Sequence, residues 1–134
     1  MSSNPLEDQE NNLYSMPLID LQIIEKTGLS SLDKHYIRLL AHCLGCFKEM
    51  VGEVSIGSLP SPDIRSRWLL SQGNNLIDEY FLNVLLEQFV SAANQLVNIA
   101  DHFDISPLEL TLDYLIQFVK DEETKPERPK LLIS

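Results

Sequence analysis

The sequence predicts an all-α fold, a single helical bundle of four or five helices with a long central helix. Apolar residues recur at spacings of three and four through most of the chain, and Ser, Pro and Gly fall where such runs start and stop. No alternating segment supplies a convincing pair of strands. With 134 residues and 44% hydrophobic composition, the chain has the length and apolar supply for one core, which excludes disorder of the whole chain.

Residues 1–15 are mostly Ser, Asn, Gln, Asp and Glu without periodicity, and they read as a flexible acidic N-terminal tail. The bundle domain is expected over 16–123. Leu18, Leu21, Ile23 and Ile24 give a short first helix, and Thr27-Gly28 supplies its left-handed stop. Ser30 and Ser31 cap a second helix that should reach Val51, with Asp33 placed favourably against the helix dipole. Its apolar seam is Tyr36, Leu40, Cys43, Phe47 and Met50, while Asp33, Arg38, His42, Gly45 and Glu49 line the other side. Residues 52–60 mix Gly, Ser and Pro and read as a loop. Ser61-Pro62-Asp63 starts a third helix that packs through Ile64, Trp68 and Leu69 and stops at Gly73.

The segment 75–103 is the most regular. Leu82, Leu85, Phe89, Ala92, Leu96, Ile99 and Phe103 alternate spacings of three and four, and Leu86, Val90, Ala93, Val97 and Ala100 widen the face. A helix apolar over more than half its circumference needs several neighbours, so this one should be central. Its surplus face, Leu82, Leu86, Val90, Ala93 and Val97, is the expected interface of a homodimer, since closed two-fold symmetry is a common way to bury extra apolar area. Ser106-Pro107-Leu108-Glu109 combines a cap, an early proline and a capping-box glutamate, and it predicts a last helix from there to about Glu122. Residues 124–134 read as an extended tail with two prolines and a terminal apolar run.

Charge narrows the function. Ten Lys and Arg against twenty Asp and Glu give a net charge of -10, a surface that repels phosphate, so nucleic acid is an unlikely partner. No apolar run is long enough to cross a bilayer, and the acidic N-terminus does not resemble a secretory signal. The expected location is cytoplasmic, in keeping with two cysteines placed within one helix rather than in a disulfide framework.

Three groups of residues invite chemistry. His42, Cys43 and Cys46 bring two sulfurs and an imidazole to adjacent turns, as a thiol switch or metal site would. A full tetrahedral set is missing, because the chain has no other cysteine and His35 lies too far along the helix, so buried structural thiols are the favoured reading. Residues 92–119 resemble a helix-turn-helix corner with a three-residue break, yet the second helix offers Glu109, Thr111, Asp113, Gln117 and Lys120, a poor set for duplex DNA. Arg65, Arg67 and Trp68 form a small basic-aromatic group, read as a core tryptophan beside solvated arginines. Adjacent carboxylates such as Asp78-Glu79 and Glu122-Glu123 point about 100° apart on a helix and read as solvated faces. The Pro126-Glu127-Arg128-Pro129 run has the spacing of a polyproline ligand, though a solvated end is the favoured reading.

No catalytic triad, phosphate loop or nucleophile elbow is present, and neither a cofactor nor a metal is expected. The leading expectation is therefore a non-catalytic regulatory or adaptor protein, not an enzyme, that acts through protein-protein contact as a homodimer. The alternatives are a transcription-linked factor using the 92–119 corner and a thiol or metal protein using His42, Cys43 and Cys46.

Overall fold

The structure is a computed structural model that describes residues 16–73 and 79–124. The two expected tails, 1–15 and all but the first residue of 124–134, lie outside the described residues, as does the expected start of the long helix. Among the described residues the fold is all-helical, with five helices and no strand. They are α1 (Leu18–Glu25), α2 (Ser31–Val51), α3 (Pro62–Gly73), α4 (Glu79–Phe103) and α5 (Leu112–Glu123), with a 3-10 turn at Pro107–Glu109.

The helix ends follow from local chemistry. Gly28 stands at φ 80° after α1, a left-handed conformation that glycine adopts without strain. Ser30 accepts the Asp33 N–H at 3.1 Å to start α2, and Gly52 at φ 77° closes it. Asp104 takes the same left-handed role after α4, at φ 61°. There the Ile105 N–H reaches the Ala100 carbonyl at 3.0 Å and the Asp104 N–H reaches the Asp101 carbonyl at 3.1 Å. These are the paired bonds of a Schellman stop, with aspartate tolerated where glycine is customary.

Burial corrects several expectations. Of the α1 apolar residues only Ile24 is fully buried; Leu18, Ile19 and Ile23 face outward, because a helix this short lies against α2 along one narrow line. Ile64, in the first turn of α3, is likewise exposed, whereas Leu69 is buried and Trp68 packs against the core. Asp33, expected on the polar side of α2, is instead buried, where α2 faces α4 and α5.

The central role is shared. α4 packs on α2, α3, α5 and the 3-10 turn, but α2 packs on all four other helices. Accordingly α2 buries Ile37, Leu44 and Cys46 in addition to the expected Leu40, Cys43 and Phe47. On α4 the second stripe divides. Ala93 and Ala100 are buried, while Val90 and Val97 stay 49% and 43% exposed. Val97 follows the fully buried Leu96 by one residue, about 100° round the helix, which carries it past the edge of the packed face.

The largest departure is between α4 and α5. The expected continuous helix from Ser106 is instead a single 3-10 turn, and α5 begins only at Leu112 because Leu110 and Thr111 are extended (ψ 145° and 173°). The break lets Leu108 and Leu110 both enter the core. Two residues apart on an α-helix, they would point about 200° away from each other. Lys48 of α2 donates from Nζ to the Leu110 carbonyl at 2.6 Å, so a buried acceptor left without a helical partner is satisfied by a charge-assisted bond.

Loop 52–61 is tied to the same turn. The Gly57 N–H donates to Ser106 Oγ at 2.9 Å, and the Gly57 carbonyl accepts the Leu108 N–H at 3.1 Å. Ser106 in turn donates from its N–H and its hydroxyl to Glu109 Oε2, at 2.9 and 2.8 Å. These two bonds, the backbone one first, hold the Glu109 carboxyl below its ordinary range.

Candidate functional site

Most of the residues that looked chemical in the sequence are occupied by the fold. Cys43 and Cys46 are not joined in a disulfide, and each is 2% exposed, within the core rather than in a cleft. Burial pushes the Cys43 thiol up to about 11, and it pushes the half-buried His42 imidazole below its ordinary value. A raised thiol pKa is the opposite of what an active cysteine needs. Among the described residues, no three His, Cys, Asp or Glu side chains are grouped to hold a metal ion.

The basic-aromatic group is similarly engaged. Arg65 donates from Nε to the Pro60 carbonyl at 3.0 Å, and its guanidinium lies 5.6 Å from the centre of the Phe47 ring. Arg67 meets Asp63 at 2.7 Å on the surface of α3. At the 92–119 corner the expected three-residue break is a longer connection, residues 104–111, with its own 3-10 turn. On α5 the exposed Gln117 is held by Asp121 at 2.8 Å, and His102 of α4 reaches the same carboxylate at 3.3 Å. That face offers Asp113 beside Lys120 and provides no run of cations for a phosphate backbone.

Among the described residues, packing leaves open a groove of about 450 Å³ between α2, α4 and α5. Leu32, Asp33, His35, Tyr36 and Leu39 form its α2 wall; Gln95 and Asn98 come from α4, and Phe118, Val119 and Glu122 from α5. The three helices meet here because each is amphipathic along the side that faces the other two. The Tyr36 hydroxyl donates to Gln95 Oε1, and Gln95 Nε2 lies 3.4 Å from Ser91 Oγ, so the groove floor carries a fixed polar pair. Burial, and then the negative charge of Glu122, keep the Tyr36 phenol protonated by raising its pKa. The rim is apolar at Leu32, which is 54% exposed, and acidic at Glu122; among the described residues neither lysine nor arginine lines it. A volume in the range of ligand pockets, apolar walls and a few oriented polar groups are the attributes of a binding site.

Sequence reasoning placed Tyr36 in a seam and Leu32, Gln95 and Phe118 nowhere in particular. The one signal in the chain was a tyrosine on an apolar stripe, whose buried hydroxyl has to find a partner. The expected interface residues are placed unevenly: Leu82 and Leu86 are half-buried, Ala93 is in the core, and Val90 and Val97 are exposed on the opposite flank of α4 from this groove.

The model of a family described as NDH complex assembly factor CRR9 matches residues 18–125. The chain belongs to that family. The match runs from the first residue of α1 to just beyond α5, so the CRR9 family region coincides with the five-helix bundle and includes the groove. No curated protein and no solved structure matches the chain. An assembly-factor family accords with an assembly or adaptor role exercised through protein partners.

Proposed function

We propose that this protein is a non-catalytic assembly factor for the NDH complex, holding one or more of its protein subunits during construction. The observation that carries the reading is membership of the CRR9 family across all five helices. The burial of Cys43 and Cys46 and the engagement of Arg65 and Lys48 within the fold support it, since the groups best suited to chemistry serve packing instead. No helix among the described residues is long and apolar enough to cross a membrane. The location we propose is cytoplasmic, which cell fractionation would check.

The working form is a homodimer. Between Glu87 and Asp101 the sequence of α4 carries no charged residue, and Val90, Asn94 and Val97 are exposed there. In a chain of net charge -10, an uncharged strip is where a second copy approaches with least repulsion. The decisive experiment removes the protein from its native cell and measures the NDH complex by native electrophoresis. Loss of the full-size complex with accumulation of subassemblies, reversed by returning the chain, is the expected result. Normal levels of complete complex without it would overturn the proposal.

A further inference from the structure

α1 is more apolar than its packing requires. Its sequence is Leu-Ile-Asp-Leu-Gln-Ile-Ile-Glu, yet only Ile24 is fully buried. Ile19 and Ile23, one turn apart on the same side, stay 60% and 40% exposed. Ile23 also lines a second groove, of about 380 Å³, between α1, α2 and the start of α5. Its floor runs along one stripe of α2, through Ala41, Gly45 and Lys48, and the two small residues leave that stripe low. Asp20 and Ile23 of α1 form one wall, and Leu112 and Asp113 of α5 the other.

We propose that this groove holds an amphipathic helix of a partner protein, its aliphatic face against Ile19, Ile23 and Leu112 and its lysines or arginines toward Asp20 and Asp113. Charge selects the sign of the occupant. Asp20 and Asp113 stand on facing walls, and among the described residues neither has an ion-pair partner, in contrast to Glu25 of α1, which Lys34 and Arg38 hold. The Lys48 ammonium is already engaged, donating to the Leu110 carbonyl at 2.6 Å. Two carboxylates against one tethered cation, in a chain of net charge -10, attract a basic segment and repel an acidic one. Length selects the form. The floor from Ala41 to Lys48 is about 10 Å long and α1 about 12 Å, the span of two turns of a helix at 1.5 Å per residue. A stripe at spacings of three and four is the pattern that lays an apolar helix face into such a groove.

The inference deepens the assembly reading and rests on it in one respect, that the helix comes from another protein which this chain holds. The preference of the groove is measured on the purified chain without the NDH complex, so failure here and failure of the assembly role are separate results.

The probe is a synthetic peptide of about 15 residues with Leu at helical spacing and Lys on the remaining face, titrated into the full chain and followed in amide NMR spectra. Shifts should concentrate on residues 19–23, 41–48 and 111–113, and the same peptide with Glu in place of Lys should leave them unmoved. Asp20→Asn combined with Asp113→Asn should weaken binding about threefold to tenfold, as the loss of two exposed ion pairs. Ile23→Asp, at an exposed position, separates docking from plain attraction between opposite charges. It adds a negative charge, so plain attraction would strengthen with it, whereas docking through the apolar wall weakens. Shifts spread over the surface, shifts centred on the groove beside Phe118, or equal binding of the Glu peptide would each overturn the proposal. So would shifts of the same groove residues when the chain alone is diluted, because that outcome assigns the groove to a second copy.

Discussion

The two thiols give the most direct check on the packing. Cys43 has an ordinary thiol pKa of 9.0 and is raised to about 11 by burial in the α2 core. At pH 8 about a tenth of a thiol of pKa 9.0 is ionised and about a thousandth of one at 11, so the native thiolate supply is about a hundredfold lower before access is considered. Since Cys43 is only 2% exposed, reagent access lowers the rate further. A chromogenic disulfide reagent should therefore label Cys43 in the native protein at least about a hundredfold more slowly than in denaturant, with Cys46→Ala isolating the signal. Native labelling within tenfold of the denatured rate would refute the assignment of Cys43 to a dry core. The same shift has a stability consequence. Because the folded pKa lies above the unfolded one, the folded chain retains its proton where the unfolded chain loses it. The stabilisation is complete below about pH 9 and is lost as pH rises toward 11, by about 3 kcal/mol in all. Cys43→Ala should flatten that alkaline decline while lowering stability at pH 7.

Gly57→Ala should destabilise by about 1–3 kcal/mol in urea titrations, because φ 130° strains any side chain even though the nearest atom to an added Cβ, Leu108 Cδ1, is 4.0 Å away. Lys48→Met should cost about 1–3 kcal/mol by leaving the Leu110 carbonyl without its partner, and it should raise hydrogen exchange across the 107–112 break. Asp104→Gly should raise the melting temperature, since it relieves a left-handed residue worth about 1 kcal/mol. The depressed His42 pKa means the unfolded chain takes up a proton first as pH falls below 6.5; stability should decline through that window, and His42→Gln should remove the decline in denaturant midpoints. For the homodimer, Val90→Asp and Val97→Asp should each give a folded monomer by sedimentation equilibrium, whereas Leu96→Asp should unfold the chain; a wild-type mass fixed at 15.3 kDa over a hundredfold concentration range would reject the dimer.

The helices were legible because each must bury a stripe, and a stripe leaves a period in the sequence that needs no knowledge of its neighbours. Where an element's behaviour depends on a neighbour, the same reading fails for a physical reason. Leu108, Leu112 and Leu115 fit a helical period, and nothing local announces that Leu110 is extended. That break depends on Lys48, sixty-two residues away, accepting the role of partner for the Leu110 carbonyl. Val90 and Val97 carry the same apolar signal as Ala93, and only the position of the packed face separates the exposed pair from the buried residue. The groove is less legible still, since it exists only when α2, α4 and α5 are set side by side, with Tyr36 meeting Gln95 across fifty-nine residues of sequence. Two of the polar residues that attract attention in the sequence are consumed in this process, Glu109 by Ser106 and Arg65 by Pro60, and so is Lys48, which attracts none, by Leu110. A space that packing leaves unfilled, such as the one beside Leu32 and Phe118, is lined by ordinary residues that carry no such signal. Recognition of another chain, the role that an assembly-factor family implies, asks for shape and a few fixed polar groups, and a groove of this kind supplies both.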